Sequence, residues 1–359
     1  MNKFPLTDMA VKMLYPNNVA QLDDRKLPSL LRYVPAFKTK DVLTNGDDCI
    51  HPGFIVNGVQ IAGFYYSKFQ NVIYEDKAYS LPAEDVATSV AFDDACRACE
   101  NKGYGWHLAT GAEWAAIVLW CKKNGNIPCG NNNFGKDVNE ESADAIATTH
   151  DVGGNVQKVA SGTGALTWSH DGTLSGIWDM NGNVWELQGG IRLVWGEVQI
   201  LANNDGADTD NPQNEISFCW KAINIADGTL VTPECLVSDT EAKTTGSTVK
   251  IDFLNDVWTY SNGVTNTMAE HRECKFMDMA CASVIGNATK TLLQALALFP
   301  DDYDGTDAVS LNNGKAEQCI YRGGSWNTAE NGGIFSMLSA GRSESRDDAG
   351  FRASYVPNI

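Results

Sequence analysis

Four oxygen-bearing side chains, Asp179, Asn181, Asn183 and Glu186, fall within eight residues. That density suits a hard cation such as Ca2+. It equally suits a tight turn in which Asx side chains bond neighbouring backbone N–H groups, and the sequence leaves both readings open. The cysteines are the next reactive group. Cys96 and Cys99 form a C-x2-C pair and Cys121 and Cys129 a C-x7-C pair. A structural zinc site wants a second tight pair, and the first pair falls on an expected helix, so these read as buried free thiols. His51, His107, His150, His170 and His271 are scattered, with no HxxxH pair. Asp301-Asp302-Tyr303-Asp304-Gly305 starts like a calcium loop but lacks a closing Glu, and reads as a turn after a helix stopped by Pro300.

A different kind of chemistry is suggested by Cys319–Arg352. Arg322-Gly323-Gly324-Ser325-Trp326 opens this stretch and Gly350-Phe351-Arg352 closes it. Paired glycines allow close backbone approach, and Trp and Phe are large enough to anchor both ends in a core. Between them most residues are small or polar, interrupted by Ile334 and Phe335. A polar segment pinned by apolar ends reads as a displayed surface, not as a core strand. An ordinary C-terminal hairpin with a solvated loop has the same composition.

The remainder of the chain must position these groups. At 359 residues it can bury a large core, as one domain or one domain plus an insert. With 27 basic against 45 acidic residues the net charge is −18, which argues against nucleic acid and anionic membrane surfaces as partners. No apolar run is long enough to span a bilayer, and Met1–Pro16 has no apolar signal core or small-residue cleavage site. Ten cysteines without such a signal read as thiols rather than a disulfide framework.

Residues 1–48 read as an N-terminal arm outside the main core. In it Thr7 or Asp8 caps a short helix, and Pro28 and Pro35 break the sequence into short pieces. An attachment or homo-oligomerisation role fits this arm. Asn57-Gly58 between Phe54–Val56 and Val59–Ile61 predicts a type I′ hairpin. Helices are expected over Ala87–Lys102, from a cap at Thr110 with Glu113 completing a capping box, and over Ser283–Leu298. Val198–Leu201 and Ile216–Trp220 read as strands.

Three segments now resemble one family. Gly105–Trp114 (GWHLATGAEW), Gly176–Glu186 (GIWDMNGNVWE) and Arg322–Trp326 with Gly350–Arg352 follow the motif order of the formylglycine-generating-enzyme family. The resemblance runs from about Phe54 to Arg352, excluding most of Gly196–Gln318. It implies an α+β, C-type-lectin-like fold: a mixed twisted sheet with two main helices, loop-rich, with a long insert. Residues 49–359 would form that domain, with the insert at about 196–318 and a variable segment at 319–352. Catalytic members carry a cysteine pair just after the glycine pair, and that pair holds copper. Here Asn327–Gly333 contains no cysteine and Cys319 precedes the motif, so no oxidase activity is expected.

The branch that fits is the variable proteins of diversity-generating retroelements, whose "RGGSW … GFR" segment is rewritten while its scaffold stays fixed. The resemblance makes Asn327, Thr328, Glu330, Asn331, Leu338, Ser339, Ser343, Glu344, Arg346 and Asp348 solvent-facing ligand contacts. It makes Gly323, Gly324, Trp326, Phe335, Arg342, Gly350 and Phe351 scaffold. It also implies structural calcium held by Asp179 and Glu186 with carbonyls of Gly182 and Val184, and no cofactor required for function. The implied partner is a protein or glycan on a host or target cell. The implied location is a phage virion tail, or else a bacterial cell surface. The rival readings are an oxidase on the same fold, a fixed-specificity lectin and a structural virion protein.

Overall fold

The computed structural model describes residues 6–142 and 144–357. The chain is a mixed α+β structure, mostly sheet with few helices. A five-stranded antiparallel sheet runs in the order Asn18–Leu22, Pro28–Pro35, Gly63–Ser67, Ala353–Tyr355 and Trp106–Leu108. The expected N-terminal arm is therefore partly core: Leu31 pairs with Ser67 and is fully buried. Pro28 and Pro35 do not break this strand, because they occupy its first and last positions, where proline is tolerated. The helix Leu6–Leu14 buries none of its residues and exposes Leu6, Met9, Met13 and Leu14.

The second sheet has twelve strands. Its spine runs Arg272–Lys275, Ala308–Leu311, Gly333–Ala340, Gln318–Gly323, Trp185–Val194, Glu197–Ile200, Lys250–Leu254, Val257–Ser261 and Ala280–Cys281. Residues 196–318 are thus no appended excursion. They build both wings of the sheet around a centre made by Trp185–Val194 and the C-terminal hairpin. The wings approach each other at Trp258, whose indole N–H donates to the carbonyls of Arg272 and Val309, each at 3.0 Å. Ile216–Trp220, expected as a strand, is loop. The chain end joins the sheets: Ala349–Phe351 pairs with Trp185–Leu187 in the large sheet, and Ala353–Tyr355 enters the small one.

Local signals explain the positioning elements. Thr110 and Glu113 form the expected capping box: Thr110 Oγ1 accepts from the Glu113 N–H at 3.1 Å, and Glu113 Oε2 accepts from the Thr110 N–H at 3.2 Å. The helix that follows, Gly111–Lys123, is buried on nearly every face, and Trp114 Nε1 donates to the Ile334 carbonyl at 2.9 Å. The other expected helices are shorter, at Phe92–Glu100 and Asn287–Ala295. Asn57 and Gly58 both have positive φ, as a type I′ turn requires.

Candidate functional site: two loops and a buried turn

Gln318–Gly323 is buried at every position. Gly323, at φ +94°, lies where a Cβ would stand 2.8 Å from the Met180 carbonyl oxygen, so glycine is needed for the approach. Trp326 then packs with Val86 and Val184. At the far end a Cβ on Gly350 would lie 2.5 Å from the Ala87 carbonyl oxygen, and Phe351 is fully buried. Of the scaffold positions, Gly323, Gly324, Trp326, Phe335, Gly350 and Phe351 are buried and Arg342 is half-buried.

The polar positions between them do not form one surface. Asn327, Glu330 and Asn331 are exposed and Thr328 half-buried, on a short loop tied back by Thr328 Oγ1 to the Ser325 carbonyl at 2.8 Å. The strand Gly333–Ala340 follows, and all eight of its residues are buried. Leu338 packs in the cluster with Cys319, Tyr321 and Ala340. Ser339 is fully buried, and its Oγ accepts from the Asn312 N–H at 2.9 Å. Both were expected to face solvent and neither does. A strand covered on both faces shows no alternation, and serines inside it are satisfied by hydrogen bonds.

A second loop covers residues 341–348. Ser343 and Glu344 are exposed, Arg346 and Asp348 half-buried. Arg346 and Asp348 form a bidentate pair, with both N–O distances 2.8 Å. The hydrogen bond it donates to Asp348 is the main reason the Arg346 guanidinium is held above its usual range. Arg342 anchors the loop: Nη2 reaches Asp93 Oδ1 at 2.7 Å and the Gln213 carbonyl at 2.6 Å, and Nη1 reaches Glu317 at 3.2 Å.

Those contacts bring in residues the sequence did not single out. Glu317 also pairs with Arg192 at 2.7 Å, and the Arg192 guanidinium lies 4.3 Å from the Trp220 ring centre. Arg192, Trp220, Ile216, Phe218 and Leu236 line a cleft of about 540 Å3. Ile216 and Phe218, 91% and 84% exposed, stand free at its rim. In the sequence this rim reads only as part of the expected strand Ile216–Trp220.

The calcium candidates were placed by sequence in one turn, and the turn is entirely buried. Gly182, at φ +75°, fits where a Cβ would lie 2.2 Å from the Asn131 carbonyl oxygen. Asp179 Oδ2 accepts from Ser161 Oγ at 2.6 Å and the Gly162 N–H at 2.8 Å, while Oδ1 is buried without a partner. Burial, opposed by those bonds, raises its pKa. The oxygens that converge are the Asp179, Gly182 and Val184 carbonyls and Glu186 Oε1, at 3.1, 3.4, 3.2 and 3.0 Å from one atom, Gln70 Nε2. Glu186 is bonded to Arg352 through both oxygens, at 2.7 and 2.8 Å. Burial by itself lowers the Arg352 guanidinium, and Glu186 more than offsets this, leaving it raised. These residues do not fit a resident cation, because an amide occupies the centre and a guanidinium holds the carboxylate.

The other reactive groups are placed for structure. Burial pushes up the thiols of Cys96, Cys99, Cys121 and Cys319, and brings Cys129 to about 11, the opposite of what a nucleophilic or ligating thiolate needs. His51 Nε2 lies 2.7 Å from the Ala295 carbonyl, while its Nδ1 accepts from the Gly53 N–H at 3.1 Å. No group of three or more His, Cys, Asp or Glu is placed to hold a metal ion among the described residues.

No family model matches the chain, and no curated protein does. Among solved structures it is similar to PvdO from Pseudomonas aeruginosa, at 12% identity over 91% of this chain and 94% of that one, with a TM-score of 0.34. Treponema denticola variable protein 1 is 10% identical over 92% and 96%, with a TM-score of 0.33. The Major Tropism Determinant P3c variant is 11% identical over 92% and 64%, with a TM-score of 0.28. Superpositions this loose carry no functional argument.

Proposed function

We propose that this chain is a non-catalytic ligand-binding protein with a C-type-lectin-like fold, of the retroelement-diversified kind, which engages its partner through the loops 327–331 and 341–348. The observation that carries this reading is the division within Cys319–Arg352. Its scaffold positions are buried or tied down, whereas eight of the ten candidate contacts are exposed or half-buried on loops. Rigid strands holding two exposed polar loops is the arrangement in which contacts can vary without unfolding the frame. The partner that fits is a protein or glycan on a target cell, met from a virion tail or a bacterial surface. The Ile216–Phe218 rim adds an apolar anchor beside the second loop, of the kind that concentrates binding energy. An oxidase is disfavoured by the raised thiols described above.

Screening the protein against glycan arrays and displayed surface proteins tests this reading. A hit must weaken on alanine substitution of Asn327, Glu330 and Asn331, or of Ser343 and Glu344. A hit that survives both sets unchanged overturns it. Sequencing the flanking DNA tests the diversification: a reverse transcriptase and a near-copy of the last coding segment differing only at adenines are expected.

A further inference from the structure

The centre of the 179–186 turn holds more acceptors than its donor can serve. Gln70 Nε2 carries two N–H groups, yet four oxygens lie within 3.4 Å of it. Three are backbone carbonyls and one is a carboxylate oxygen, a donor set that matches a hard divalent cation. The orientation of the amide is fixed from its other end, where Gln70 Oε1 accepts from Asn183 Nδ2 at 2.8 Å. The charge is supplied separately. Arg352, fully buried, donates to both Glu186 oxygens and, through Nη2, to the carbonyls of Trp178 and Asp179 at 2.5 and 3.1 Å.

We infer that Gln70 and Arg352 take the place of a divalent cation in this turn, so that the chain closes its own oxygen cage and admits no metal. Two features of the geometry support substitution rather than coexistence. An ion at the position of Nε2 would share Glu186 Oε1 with Arg352 Nη2, which already lies 2.8 Å from it, and two cations on one buried oxygen repel strongly. Of the Asp179 carboxylate, the other anionic candidate, Oδ2 is committed to Ser161 and Gly162, while Oδ1 is buried without a partner. Arg352 also terminates the display segment, and its Nη1 donates to the Ser67 carbonyl at 3.2 Å. The substitution therefore locks the segment's end to the small sheet without an exchangeable ion.

Thermal melts of the full chain in EDTA and in millimolar calcium, with terbium luminescence excited through Trp178 and Trp185, test the inference. The wild-type melt is expected to be the same in both, with no sensitised terbium emission. Gln70→Met, which keeps the length but removes the donors, should melt several degrees lower in either condition. Gln70→Glu places a second carboxylate among the carbonyls and should gain both a calcium-dependent rise in Tm and terbium emission. A wild-type rise with calcium that disappears in Glu186→Gln overturns the inference. So does a Gln70→Met protein that melts with the wild type, or a folded Gln70→Glu protein blind to calcium. If Gln70→Glu does not fold, the wild type and Gln70→Met still decide.

Discussion

The turn 179–186 and the loops 327–331 and 341–348 are built from the same vocabulary of Asn, Asp, Glu, Ser and Gly, and end in opposite environments. Every residue of the turn is buried, and its polar side chains bond to distant parts of the chain at Gln70, Asn131, Ser161 and Arg352, with Asp179 Oδ1 left unpartnered. The loops are mostly exposed: Arg346 with Asp348 and Glu344 with the Gly341 N–H bond locally, and the distant side-chain ties are those of Arg342 to Asp93, Gln213 and Glu317 and of Asn331 to Glu273. Polar density in a sequence therefore does not mean surface. A buried polar network holds only when the rest of the fold delivers donors to it, because an unpaired member costs its full desolvation.

The largest expected effect breaks the turn. Arg352→Met should cost about 3–5 kcal/mol, because it strands the Glu186 carboxylate in the interior without its partner. Chemical denaturation measures this directly. A loss below about 1 kcal/mol would mean that the Glu186 carboxylate reaches water or another donor in the variant, and the buried half of the comparison would fail.

A second test uses pH. Burial pulls His51 and His170 down to about 4, only partly opposed by the Ala295 hydrogen bond in the first and by the Asp171 charge in the second. Each ring accepts a backbone N–H at Nδ1, from Gly53 and Ile177, so a proton there would face a donor. In the unfolded chain both titrate near 6.5. Between about 6.5 and 4 the unfolded state binds more protons, so stability is present at neutral pH and is lost as pH falls through that window. Melts from pH 7.5 to 4.5 should show the decline, on the order of 1–3 kcal/mol per histidine. A flat profile would place both rings in contact with water.

Much of the frame was legible because its signals are local. The Thr110–Glu113 box and the Asn57-Gly58 turn lie within three residues of what they control, and the two glycine-rich ends mark close backbone contacts. What could not be read depends on distant partners. Gln70 lies 109 residues from the Asp179 carbonyl it serves, so the turn resembled an ion site with nothing nearby to contradict it. Leu338 and Ser339 sit on a strand covered on both faces, where the period-two pattern vanishes. The N-terminal strands carry prolines that read as breakers but stand at strand ends.

The smallest expected stability change is the one that bears most on function. Replacing Asn327, Glu330, Asn331, Ser343 and Glu344 by alanine should shift stability by less than about 0.5 kcal/mol per site, because none is a buried donor or acceptor. Arg346 is left out of this set, since it pairs with Asp348 across a half-buried contact. Leu338→Ala is the internal control. It removes a side chain only 7% exposed and should cost about 2–5 kcal/mol. Testing the loops separately divides the question further, since a fully buried strand lies between them. If a ligand found by screening is lost with Ser343→Ala/Glu344→Ala and kept with the first-loop triple variant, binding is confined to the loop beside Ile216 and Phe218. The converse places it beside Glu273, whose carboxylate accepts from Asn331 at 3.3 Å. Denaturation of the five-site protein at much lower denaturant than the wild type would make these loops part of the frame, and the contrast with the turn would collapse.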